Sequence, residues 1–145
     1  MLLKLVEKTG SRMRSAGYKA RGVHVGLLYR DGSYWHHGQV THSLLFDSRD
    51  IYKEALHILR HSPCVKAVHN LAVSCFNLEK ETNQQLSLVE NLDRKERLVS
   101  AMDAINKRYG SFVITPALML GTEKNVPDRV AFGGIKELEE VLIDR

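Results

Sequence analysis

Seven histidines, two cysteines and a scatter of carboxylates are the residues of this 145-residue chain best suited to chemistry. His57 and His61 stand four apart, a spacing that puts two imidazoles on one helix face and can hold a metal ion. No cysteine or carboxylate lies alongside to complete a ligand set, so no metal site is expected. His36 and His37 adjoin in a stretch that reads as a strand, where successive side chains point to opposite faces. Cys64 and Cys75 form no C-x-x-C pair, which excludes a zinc ribbon. Both read as reduced thiols, Cys75 as small filler in an apolar run. The chain has no G-x-S-x-G, H-E-x-x-H or G-x-x-x-x-G-K motif. Two-metal phosphoryl transfer needs carboxylates gathered at strand ends, whereas Asp47, Asp50, Asp93 and Glu96 stand where helix caps are wanted. No catalytic residue is expected in this chain.

The elements that would position these residues follow from hydrophobic periodicity. Leu2, Leu5, Val6, Met13 and Ala16 share one helical face, with Gly10 weakening the helix midway and Gly17 ending it. Val23, Val25, Leu27 and Tyr29 alternate with Gly22, His24, Gly26 and Leu28, a period-2 strand. Asp31-Gly32 is a hairpin signal, and a second strand follows over 34–44. Asp47 or Ser48 caps a helix with the stripe Ile51, Ala55, Ile58 and Leu59, ended by Pro63. A third strand over 65–80 places Leu71, Val73 and Cys75 on one face and Asn70, Ala72 and Ser74 on the other. A helix over 93–109 opens on an Asp93/Glu96 capping box; its expected buried stripe is Leu98, Ala101, Met102, Ile105 and Tyr109. "FVITPALML" reads as a short strand, "VPDRVAFGG" as a loop and "IKELEEVLID" as a last short helix. The fold class is α+β: an antiparallel sheet covered on one face by helices, then a helical C-terminal extension.

Net charge is +4 and mildly basic overall, but its distribution is uneven. Residues 1–45 carry seven Lys/Arg against two acids, whereas the rest of the chain is near balance. A one-sided excess suits a polyanion partner, most often nucleic acid; a solvated basic helix face would explain it as well. The N-terminus "MLLKLVEK" has Lys4 within its apolar patch and no signal-peptide core. No apolar run approaches the roughly 20 residues that span a bilayer, and a cytoplasmic location is expected.

The strand face away from the helices has Gly22, His24, Gly26 and Arg30, then His37, Gln39 and Thr41, then Asn70 and Ser74. It is small, polar and free of acids. Small residues let a partner approach the backbone, and amides with short polar side chains contact phosphates. With Arg21 at its edge, this face is the expected DNA-binding surface. A separate feature is the greasy pentapeptide Gln85, Leu86, Ser87, Leu88, Val89 in a polar connector. It reads either as an anchor of the connector on the domain or as an extended ligand for an apolar groove.

In their order, these pieces resemble the C-terminal part of Y-family (DinB/UmuC-like) translesion DNA polymerases, the little-finger domain with its C-terminal extension. The resemblance is carried by "ARGVHVGLLY", "DSRDIYKEALHIL", "VKAVHNLAVSCFNL", "QLSLV", "RLVSAMDAINKRYG" and "RVAFGGI". It implies a little-finger DNA-binding domain over 1–82 and a clamp-binding connector with helical extension over 83–145. It also implies that "QLSLV" is similar to the family's sliding-clamp motif, with Val89 where an aromatic is usual. The family often carries Lys or Arg on the open face where this chain has Gly26, Leu28, Asn70 and Ser74, so charge-based DNA affinity should be low. The implied partners are primer–template DNA, the sliding clamp and the catalytic domains of a parent polymerase; the implied cofactor of that parent is magnesium. The palm, fingers and thumb are missing, so a polymerase fragment is expected, the alternative being a catalytically inactive adaptor of a damage-induced mutasome.

Overall fold

The structure is a computed structural model that describes residues 1–63, 66–80, 90–110 and 112–120, with side chains in the last helix described from Asp93 onward. The elements run α1 (Leu2–Ser15), β1 (Tyr18–Tyr29), β2 (Tyr34–Leu45), α2 (Ser48–Arg60), β3 (Val68–Lys80), α3 (Glu90–Tyr109) and a 3₁₀ turn at Ala117–Met119. The strands form one antiparallel sheet in the order β2-β1-β3. Helices and an antiparallel sheet in this arrangement make the α+β class expected from the sequence. The expected loop and helix beyond residue 120 lie outside the described residues.

The β1–β2 hairpin forms because Asp31-Gly32 supplies what its turn needs. Gly32 has φ +82°, a left-handed value that costs glycine little. Asp31 accepts the Ser33 N–H at 2.9 Å and the Lys66 ammonium at 2.6 Å. These contacts hold its carboxyl well below the usual carboxylate range, the Lys66 contact first.

One face of the sheet is the core. Val23 and Val25 are fully buried and pack with Leu2, Val6 and Met13 of α1 and with Ile51, Ala55 and Ile58 of α2. Trp35, Leu71, Val73 and Cys75 pack against this cluster. Asp47 caps α2, accepting the Arg49 N–H at 2.8 Å. Gly10 is buried where α1 meets the start of α2: a Cβ there would stand 2.7 Å from Ser48 Oγ and 2.9 Å from Arg14 Nη1. The glycine that weakens α1 as an isolated helix is therefore what lets the two helices approach.

The helix α3 differs from expectation. It already begins at Glu90, so Asp93 lies within it and is no cap. Its buried apolar residue is Val99, while Leu98 is 50% and Tyr109 64% exposed; Ala101 is exposed too. The reason is electrostatic. Asp103 receives Arg14 through Nε at 2.5 Å and Nη2 at 2.8 Å. Glu96 accepts Lys19 Nζ at 2.6 Å, and Lys95 pairs with Asp50. Phe46 sits beside both lysines, 5.2 Å from Lys19 Nζ and 5.6 Å from Lys95 Nζ. Polar pairing at 95, 96 and 103, one helical face, sets the phase that apolar periodicity missed. Likewise "FVITPALML" yields the 3₁₀ turn after Pro116 and not a strand. Asn106 ties this segment to α3 by accepting the Ile114 N–H at 2.9 Å.

Candidate nucleic-acid interface

Ladder partners share a face of the sheet, so the register decides which residues the open face presents. Val23 and Val25, buried under the helices, pair with Gln39 and His37 on β2. His37 and Gln39 therefore lie on the helix-covered face, and their expected placement on the open face is corrected. His37 stacks there on Trp35, ring centroids 6.4 Å apart. The open-face residues of β2 are Tyr34, His36, Gly38 and Val40, opposite Leu28, Gly26, His24 and Gly22. From β3 come Asn70, Ala72, Ser74 and Phe76. Gly22, His24, Gly26, Asn70 and Ser74 are thus brought together on the open face, as expected, and none of these partnered positions is acidic.

Two expected contact residues serve the rim. The strand β2 bulges over 41–44 opposite Arg21, since Ala20 pairs with Leu45 but Gly22 with Val40. Arg21 closes this bulge, donating to the His42 carbonyl at 3.0 Å and pairing with Glu79. Thr41 Oγ1 donates toward the carbonyls of Arg21 at 3.2 Å and Ser43 at 2.8 Å. The Arg21 charge is partly offset where a phosphate would need it.

At the centre of the face, His24 Nε2 and His36 Nδ1 are 3.0 Å apart. Burial, then the neighbouring His36 and His37, hold the His24 pKa below its ordinary value. Phe76 leans from β3 over Gly22, and Tyr34 from β2 over Gly26. Alternation from Trp35, an obvious inward anchor, would have assigned Tyr34 and His36 to this face. One further step of two from Ser74 would have added Phe76.

The basic α1 is on the other side. Its apolar stripe packs on the covered face, so the basic residues of α1 and the open sheet face are on different sides of the sheet. Of its cations, Arg14 is spent on Asp103, the Phe46 carbonyl at 2.8 Å and Ser48 Oγ at 3.1 Å. Near these groups Glu7 has its pKa raised by burial, against the lowering pull of Ser48 and Arg14.

Among the described residues no group of three or more His, Cys, Asp or Glu is placed to hold a metal ion. His61 Nδ1 is engaged with the His57 carbonyl at 2.8 Å. No helix among the described residues is long and apolar enough to cross a membrane. The clamp-like residues Gln85, Leu86, Ser87, Leu88 and Val89, and also Cys64, lie outside the described residues.

A helix-backed antiparallel sheet whose outer face is acid-free and ring-bearing defines an α+β domain with one surface left for a ligand. Residues 1–88 match the impB/mucB/samB family C-terminal domain. The chain belongs to this family, the C-terminal domain of Y-family (UmuC/DinB-like) polymerases. It is 33% identical over 121 residues to a DNA polymerase IV of Moorella thermoacetica, covering 83% of this chain and 30% of that protein. It is 29% identical over 122 residues to the putative UV-damage repair protein UvrX of Bacillus subtilis, covering 81% and 29%. A DNA polymerase IV of Pelotomaculum thermopropionicum is 30% identical over 121 residues, covering 83% and 30%. The chain thus spans less than a third of the length of these relatives.

Proposed function

We propose that this chain is the DNA-holding portion of a translesion DNA polymerase that acts in DNA repair, and that the open sheet face is its DNA surface. The observation that carries the reading is the register: it gathers Gly22, His24, Gly26, Asn70 and Ser74 on one acid-free face of a domain whose family is that of repair polymerases. Small residues and backbone groups contact phosphates without reading bases, so binding is sequence-independent. Nucleotidyl transfer, and the magnesium it uses, belong to the parent chain's other domains. The segment Gln85–Val89 is the tether to the sliding clamp, Gln85 hydrogen-bonding at a groove rim while Leu86, Leu88 and Val89 enter an apolar cleft.

The DNA surface is tested by titrating labelled duplexes of different sequence. Equal, millimolar-to-micromolar affinities that fall with salt support it; binding confined to one sequence counts against it. The tether is tested by pull-down with the cognate clamp. Leu86→Ala with Leu88→Ala should abolish capture with the melting temperature held, and Val89→Phe should strengthen it by about 1 kcal/mol. A melt that drops sharply, with no clamp capture by the unsubstituted chain, points to a connector anchor instead.

A further inference from the structure

The open face is richer in rings than in charge. Phe76 crosses from β3 over Gly22, where a Cβ would come within 2.4 Å of its Cζ, and reaches toward Gly38 on β2, where a Cβ would stand 3.4 Å from Cε1. Tyr34 leans over Gly26, whose Cβ would meet its Oη at 2.9 Å. His36 stacks on Tyr34 with centroids 5.2 Å apart and planes 27° from parallel. His24 continues the row, 5.2 Å from His36. Gly22, Gly26 and Gly38 are thus the floor on which the rings rest. Tyr34 is 60% exposed and His36 is exposed, while Phe76 and His24 are half-buried. No lysine or arginine occupies the open-face positions partnered between Gly22 and Leu28, Arg21 at the rim pairs with Glu79, and α1 lies behind the sheet.

We infer that this row of rings is a stacking site for unpaired nucleotides, so that the open face takes a single strand, or the overhang of a primer–template, in preference to blunt duplex. The inference rests on the reading of this face as the DNA surface. A duplex hides the faces of its bases and offers phosphates, which the centre of this face meets only with backbone groups and short polar side chains, without a lysine or arginine. An unpaired base offers a π face of any sequence, and aromatic rings on an antiparallel sheet are a known way of meeting it. Only glycines leave room for rings to lie this close to the strands.

The test is fluorescence anisotropy with four labelled probes of matched length: oligo(dT), oligo(rU), a blunt duplex, and that duplex with a thymidine overhang. The expected result is that oligo(dT) and the overhang bind roughly tenfold tighter than the blunt duplex. Tyr34→Ala and His36→Ala, both exposed and so compatible with folding, should each cut single-strand affinity several-fold while blunt-duplex affinity holds. Phe76→Leu, which keeps Gly22 covered, should do the same. Equal binding of oligo(rU) and oligo(dT) supports recognition through the bases. If the blunt duplex binds as tightly as the single strand, or the ring variants leave single-strand affinity unchanged, the stacking site is overturned and the DNA surface stands. If no probe binds, both are overturned.

Discussion

His24 and His36 meet across the β1–β2 ladder with Nε2 and Nδ1 3.0 Å apart, at the centre of the open face. One ring must donate and the other accept, so the contact exists only while at least one imidazole is neutral. Burial first, and then the two neighbouring imidazoles, favour neutral His24. The folded chain therefore binds fewer protons than the unfolded chain between the lowered His24 pKa and its ordinary value of 6.5. Stability rises with pH across that window, and the contribution is lost as pH falls below 6.5. Thermal melts should show a lower midpoint in mild acid, and His24→Gln should flatten that slope. A proton NMR titration in which His24 titrates above 6.5 would sink this account of the pair.

Gly10 gives a prediction whose sign is opposite to helix propensity. In an exposed helix, Gly→Ala gains about 1 kcal/mol. In α1 the added methyl would meet Ser48 Oγ at 2.7 Å and Arg14 Nη1 at 2.9 Å. Arg14 is already committed to Phe46 and Asp103, so it cannot simply swing away. Gly10→Ala should lower stability by about 1–2 kcal/mol, the usual cost of overpacking. A chemical denaturation midpoint that rises would show that the helices part freely there.

The docking of α3 depends on Arg14 more than on any apolar residue of that helix. Its guanidinium makes a two-pronged pair with Asp103 while 14% exposed, and also satisfies the Phe46 carbonyl and Ser48 hydroxyl. Arg14→Ala should cost about 2 kcal/mol, the scale of partly buried charge-assisted hydrogen bonds. Leu98→Ala, at a 50% exposed residue, should cost under about 0.5 kcal/mol. Equilibrium denaturation of the two variants checks the ranking, and the reverse order would mean that α3 is held by its apolar stripe after all.

Cys75 packs against the core, and burial pushes its thiol up to about 11. The thiolate is the reactive form, so at neutral pH Cys75 should resist iodoacetamide in the folded chain and react once denaturant is added. A Cys64→Ser background confines the readout, by mass spectrometry, to Cys75. Rapid labelling without denaturant would show that the β3 edge opens.

The sheet and its two covering helices were legible because their signals are strong and local. Strict alternation from Val23 to Tyr29, the Asp31-Gly32 turn and the Ile51–Ile58 stripe each have one structural solution. The second strand was harder: its length was plain, but its phase was not, and a one-residue slip puts every side chain on the wrong face. His37 and Gln39 reach the open face only with that one-residue slip, and Trp35, packed on the core, is the residue that fixes the phase. The stripe of α3 misled because its inward face is built from Lys95, Glu96, Val99 and Asp103, whose partners lie far away in the chain. Long-range ion pairs leave no period in a sequence. The rings of the open face were hidden for a related reason: Phe76 finds its place through Gly22 and Gly38, on two other strands.

Backbone amide shift mapping with a short primer–template tests the central claim most directly, because the open face and the basic α1 lie on opposite sides of the sheet. The account predicts that shifts concentrate at Gly22, His24, Gly26, His36, Asn70 and Ser74, with α1 unmoved. Shifts confined to Lys4, Lys8 and Arg12 of α1, with the sheet face silent, would contradict it.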